Sequence, residues 1–160
     1  MKIVKHSLMR DGENKNILVK EQESEYPFAN RLDNPQVIAS TMRDIFKLHM
    51  QAEEYVYLIV LNTKFVPISF FELSHGTIDA SLIGIRELMT RVLLCCGSKI
   101  ILVHNHISEE CEPSKEDIKV TERIKKACEI MGIELCDHII VGKYGYYSFA
   151  ESEGNNDEKT

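Results

Sequence analysis

Residues 99–117 read KIILVHNHISEECEPSKED. The opening KIILVHNH is a short apolar run that ends in two histidines, the pattern of a buried strand. After a loop, Pro113-Ser114 opens a helix that runs to Met131, with Gly132 as the residue after its end. In an extended segment, residues two apart point the same way, so His104 and His106 can both approach one ion. Ser114 and Asp117 are three apart at a helix start and are therefore neighbours on one helix face. The intervening loop can fold that helix end back over the histidines.

Working outward, YVYLIVLN (55–62) is a continuous β-branched and aromatic run, as expected of a strand covered on both faces. VPISFFEL (66–73) follows as a second strand after a short polar turn, and SHGTIDAS (74–81) reads as a loop around Gly76. A helix is expected over 84–96, stopped by Gly97. Upstream, Asn34-Pro35 looks like an N-cap with proline at the first helical position, and helical spacing continues to about residue 51. Downstream, 133–141 and 144–149 are strands around Gly142. Residues 1–33 hold two short apolar alternations around RDGENKN and read as an edge hairpin or extension. The tail 151–160, ESEGNNDEKT, is acidic, lacks large apolar residues and reads as disordered. The result is a single-domain α/β fold, one mixed sheet flanked by helices.

Composition narrows the function classes. A chain of 160 residues with 44% hydrophobic and 28% charged content fits one soluble globular domain. It has no bilayer-length apolar run and no signal-peptide core, which points to a cytoplasmic protein. Five cysteines without paired spacing suit free thiols in a reducing compartment, and Cys95 and Cys96 read as small buried hydrophobes. The net charge of −6 argues against a surface built for nucleic-acid phosphates. Lys115, Lys119 and Arg123 share a helix face, but Glu116, Asp117 and Glu122 are interleaved with them, as on a solvated face.

His104, His106 and Asp117 supply three zinc ligands and leave a fourth position open for water, the arrangement of a catalytic site. Such ligands would lie about 2.0–2.2 Å from the metal. Glu54, at the entrance of the 55–62 strand, is the candidate general base, because zinc lowers the pKa of its water to about 7. Strand alternation lets either Glu54 or its neighbour Glu53 point inward, not both. Ser114 could donate a hydrogen bond to a tetrahedral oxyanion. Each element has a plainer explanation: Ser114 as a helix N-cap, Asp117 as a first-turn acid, and His-x-His as a polar strand end. Their combination in this order, with Glu54 upstream, is what favours a metal site.

The stretch HNHISEECEPSKED resembles the JAMM (MPN-plus) metalloprotease signature, H-x-H-x7-S-x-x-D after a distant glutamate. The chain more closely resembles the RadC family of JAMM-domain proteins over residues 34–150. The matching residues are Glu54-Tyr55-Val56, Gly76-Thr77, Arg86-Glu87, His104-Asn105-His106, Ser114 to Asp117 and Asp137-His138-Ile139-Ile140-Val141-Gly142. The resemblance implies a JAMM fold related to cytidine deaminases, zinc on His104, His106 and Asp117, Glu54 as general acid/base and Ser114 as oxyanion partner. Asp137-His138 would then be structural or support the ligands rather than join them.

Two departures stand out. Ile107-Ser108-Glu109 replaces the family's Pro-Ser-Gly, which alters the loop without touching the ligands. The residues before position 34 are too few for the helix-hairpin-helix module of full-length RadC proteins, which weakens an inherited DNA-repair role. The expected function is hydrolysis of a peptide or isopeptide bond in a peptide or protein substrate. The alternatives are a DNA-repair-associated nucleic-acid-binding accessory protein and a non-catalytic MPN scaffold.

Overall fold

The computed structural model describes residues 1–76, 83–108 and 110–157. Its strands are β1 (Lys2–Arg10), β2 (Asn16–Glu25), β3 (Glu54–Leu61), β4 (Pro67–Gly76), β5 (Lys99–Asn105), β6 (Glu134–Val141) and β7 (Tyr146–Ser148). They form one sheet in the order β2-β1-β4-β3-β5-β6-β7. The β1/β4 and β5/β6 pairs are parallel and the others antiparallel, so the sheet is mixed as expected. The N-terminal hairpin belongs to this same sheet, through the parallel contact of β1 with β4.

The helices are α1 (Pro35–Phe46), α2 (Ile85–Leu94), α3 (Lys115–Met131) and α4 (Phe149–Asp157). Alternation along β3 explains why both faces need cover. Tyr57, Ile59 and Leu61 pack with Ile38, Ala39, Met42 and Phe46 of α1. Val56, Leu58 and Val60 pack with Leu88, Met89 and Val92 of α2 and Val120, Ile124 and Cys128 of α3. The α3 residues recur at helical spacing, which turns one stripe of an otherwise charged helix to the sheet.

Several boundaries differ from the sequence reading. Helix α1 starts as expected, with the Asn34 side chain accepting from Val37 N. It ends at Phe46 because Lys47 takes a left-handed φ of 52°, and a 3₁₀ turn, Leu48–Met50, carries the apolar pattern onward. Helix α2 ends at Leu94, and Cys96, not Gly97, adopts the positive φ after it. Gly97 is required for another reason: a Cβ there would collide with Val60. Cys95 is consequently only partly buried and Cys96 is exposed.

Strand β4 continues through 74–76, part of the expected loop, while 77–81 lies outside the described residues. The expectation of a disordered tail does not hold for 151–157, which are helical in α4. The cause is tertiary. Asp137 accepts from Ala150 N, the Ser148 hydroxyl accepts from Glu151 N, and Lys125 pairs with Glu153. These contacts hold the first turns of a sequence with little apolar content of its own.

Candidate metal centre

The site forms where β5 runs out. His104 is buried on the face that α3 covers, and His106 is the first residue past the strand. Between them, Asn105 turns its buried side chain to the backbone of the neighbouring strand. Its Oδ1 accepts from Tyr55 N at 2.8 Å and its Nδ2 donates to the Glu53 carbonyl at 3.0 Å. The amide therefore clamps the backbone on both sides of Glu54. Val56 pairs with His104 across the antiparallel β3/β5 ladder, and extending that register two residues back along β3 and two residues on from His104 brings Glu54 abreast of His106. Glu54 is partly buried and Glu53 exposed, and it is the charge of Glu54 that acts on His106.

Helix α3 brings in the third group. Ser114 is its N-cap, in a reciprocal capping box with Asp117. The Ser114 hydroxyl accepts from Asp117 N at 3.1 Å and donates to Asp117 Oδ2 at 2.6 Å, while Ser114 N also donates to that oxygen at 2.8 Å. Asp117 Oδ1 lies 3.3 Å from His104 Nε2, and Oδ2 lies 3.3 Å from His106 Nε2. The plain and the chemical explanations of Asp117 thus describe one side chain, which both caps the helix and faces two imidazoles.

His104, His106 and Asp117 each offer a ligand atom, and these atoms lie within 4.8 Å of one another. The donor set fits a metal ion on chemical grounds. His106 Nδ1 is 3.0 Å from the Glu110 carbonyl, which can only accept, so Nδ1 carries a hydrogen and Nε2 is the nitrogen left to take a metal ion or, without one, a proton that it shares with Asp117. That Nε2 faces His104 Nε2 at 2.9 Å, a separation that requires a proton or a metal ion between the two nitrogens. Three protein ligands leave room for a further one.

The electrostatics are those of an ionised carboxylate among imidazoles. Burial would raise the Asp117 pKa, but hydrogen bonds to His104 and His106 hold it well below the usual carboxylate range. The hydrogen bond to Asp117 raises the His106 pKa against the effect of burial, and the charges of Asp117 and Glu54 add to the rise. His138 on β6 is pushed the other way by burial and by His104. It lies against His104, 2.9 Å between ring nitrogens, and reaches the Thr121 hydroxyl at 2.6 Å. A cleft of about 540 Å³ opens beside His106, and the exposed Met50, Ile107 and Tyr144 are among its lining residues.

The positions of Asn105 and Thr121 escaped the sequence reading. Thr121 follows Asp117 by one helical turn, a legible spacing. The Asn105 clamp depends on the register of two strands, which spacing does not reveal.

The fold and this cluster define a JAB-type domain with a metal-capable centre. Residues 32–155 match the RadC-like JAB domain, and the chain belongs to that family. It is 40% identical over 126 residues to a UPF0758 protein of Clostridioides difficile, covering 79% of this chain and 53% of that one. A UPF0758 protein of Thermotoga maritima is 43% identical over 112 residues, covering 66% and 50%. One from Alkaliphilus metalliredigens is 36% identical over 121 residues, covering 76% and 51%. The chain spans about half the length of the curated relatives it matches.

Proposed function

We propose that this chain is a zinc-dependent hydrolase of the JAMM type that cleaves peptide or isopeptide bonds in the cytoplasm. The observation that carries the reading is the convergence of His104, His106 and Asp117 beside Glu54. Two imidazole nitrogens and a carboxylate suit zinc, and three ligands are the number a catalytic zinc site uses. Zinc bound there would polarise a scissile carbonyl and supply a water acidified to a pKa of about 7.

The chain's own residues do the rest. Glu54, fixed by the Asn105 clamp, takes a proton as the water oxygen adds to the carbonyl carbon. It returns that proton to the amine nitrogen as the C–N bond breaks. Ser114 donates to the developing oxyanion after turning its hydroxyl away from Asp117 Oδ2. The cleft beside His106 holds the chain that flanks the scissile bond, with Met50, Ile107 and Tyr144 offering apolar contact. Five unpaired cysteines are compatible with a reducing compartment. No helix among the described residues is long and apolar enough to cross a membrane.

The test is metal analysis of the purified protein alongside cleavage of linear and isopeptide-linked peptides. One zinc per chain and zinc-dependent cleavage are expected. Protein that takes up no zinc and cleaves neither substrate would contradict the proposal and favour a scaffold.

A further inference from the structure

His138 is 2% exposed, and both of its ring nitrogens are engaged, Nδ1 by Thr121 and Nε2 by His104 Nδ1, the nitrogen of His104 turned away from Asp117 and His106. Its ring stacks on Phe149 of α4 at 5.0 Å with an interplanar angle of 7°, which fixes the ring's orientation. Thr121 Oγ1 lies 2.6 Å from His138 Nδ1 and 2.6 Å from the backbone carbonyl of Asp117.

The direction of each hydrogen bond follows from that carbonyl. A carbonyl oxygen only accepts, and two oxygens 2.6 Å apart need a hydrogen between them, so the Thr121 proton points to Asp117. The hydroxyl must then accept from His138, whose Nδ1 carries a hydrogen. A buried imidazole with no carboxylate among its hydrogen-bond partners is neutral, which leaves a lone pair on His138 Nε2. That lone pair, 2.9 Å from His104 Nδ1, accepts a hydrogen from it. His104 is left with its proton on Nδ1 and its lone pair on Nε2, the nitrogen that faces Asp117 and His106.

We infer that Thr121 and His138 form a hydrogen-bond relay that sets the tautomer of His104 and so makes its Nε2 available to a metal ion. Both are positioning residues and act through His104. The inference rests on His104 being a ligand in the proposed hydrolase. His106 reaches the same tautomer directly, through the Glu110 carbonyl. The two histidines are thus prepared by different routes, and the relay has a weak link that the direct bond lacks.

Thr121→Val addresses that link. The valine keeps the threonine's shape but offers His138 Nδ1 no acceptor. The His138 proton then moves to Nε2 and is donated to His104 Nδ1, which forces the His104 proton onto the metal-facing nitrogen. Long-range proton–nitrogen NMR of zinc-free protein reads the His138 tautomer, and competition with a chromophoric chelator reads zinc affinity.

The wild type and Thr121→Ser, which keeps the hydroxyl, should show His138 protonated on Nδ1 and bind zinc equally. Thr121→Val should show the Nε2 tautomer and bind zinc about 10–100-fold more weakly. An unchanged tautomer and affinity in Thr121→Val would overturn the relay. So would a Thr121→Ser variant as weak as Thr121→Val, because packing of the methyl would then explain the loss. Failure of the wild type to bind zinc would overturn the metal reading instead, and the NMR arm would still decide the relay.

Discussion

Asp117 and Asp137 are both buried aspartates close to the same histidine, yet they lie on opposite faces of the sheet and behave in opposite ways. Asp137 faces the α1 side, where Oδ1 accepts from His138 N and Ala150 N and Oδ2 accepts from the Ser148 hydroxyl. Neutral donors satisfy it, and burial raises its pKa against the hydrogen bond from Ser148. Asp117 faces the α3 side, where its oxygens meet two imidazole nitrogens as well as Ser114, and its pKa falls. A buried carboxylate satisfied by neutral donors joins parts of the scaffold, here α4 to β6. One that faces two imidazole nitrogens is placed where it could share a cation with them.

The same substitution at the two positions tests the contrast most sharply. Asp117→Asn removes a ligand charge, so the protein should lose both zinc and hydrolysis, as read by metal content and peptide cleavage. Asp137→Asn should keep zinc and cost less than about 1 kcal/mol in urea unfolding. Its amide oxygen can still accept from His138 N and Ala150 N while its NH₂ donates to the Ser148 hydroxyl. Zinc loss in Asp137→Asn, or zinc retention in Asp117→Asn, would erase the distinction.

Ser114→Ala separates helix capping from chemistry. Zinc should stay, turnover should fall about 10²–10³-fold, and the lost cap should cost about 1 kcal/mol. Unchanged turnover with the same loss of stability would reduce Ser114 to a cap for Asp117.

The smallest expected effect is a pair of opposite pH slopes in metal-free protein. Asp117, with a lowered pKa in the fold, stabilises it above the ordinary aspartate value of about 4, and that contribution is lost as pH falls below it. Asp137, with a raised pKa, disfavours the fold while ionised, and that penalty fades as pH falls toward about 4 from above. Urea midpoints measured across this range with chelator present should therefore lose acid sensitivity in Asp117→Asn. In Asp137→Asn they should lose the opposing gain.

Much of this contrast could be read locally. The apolar run into His104, the two-residue spacing to His106 and the cap at Ser114 all act within one turn or one strand, so residue order alone exposes them. Gly132 stops α3 by the left-handed conformation that its position suggested. What stayed hidden depends on how distant segments meet. The β3/β5 register that brings Glu54 abreast of His106, and the parallel β5/β6 pairing that sets His138 against His104, are tertiary choices. So is the docking of 149–157 on Asp137, which makes a helix of a polar tail. The end of α1 was missed for a different reason: Lys47 is an unusual residue to hold a left-handed φ.

In the proposed hydrolase a carboxylate on Glu54 moves the proton while three other residues hold the metal. Glu54→Gln keeps the side chain's size and removes its basicity, so zinc content and peptide hydrolysis should be measured side by side on this variant and the wild type. One zinc per chain is expected in both proteins, with hydrolysis lowered about 10²–10⁴-fold in Glu54→Gln. Undiminished hydrolysis with zinc retained would contradict this role of Glu54 and move the base elsewhere, with Glu53 the first residue to examine.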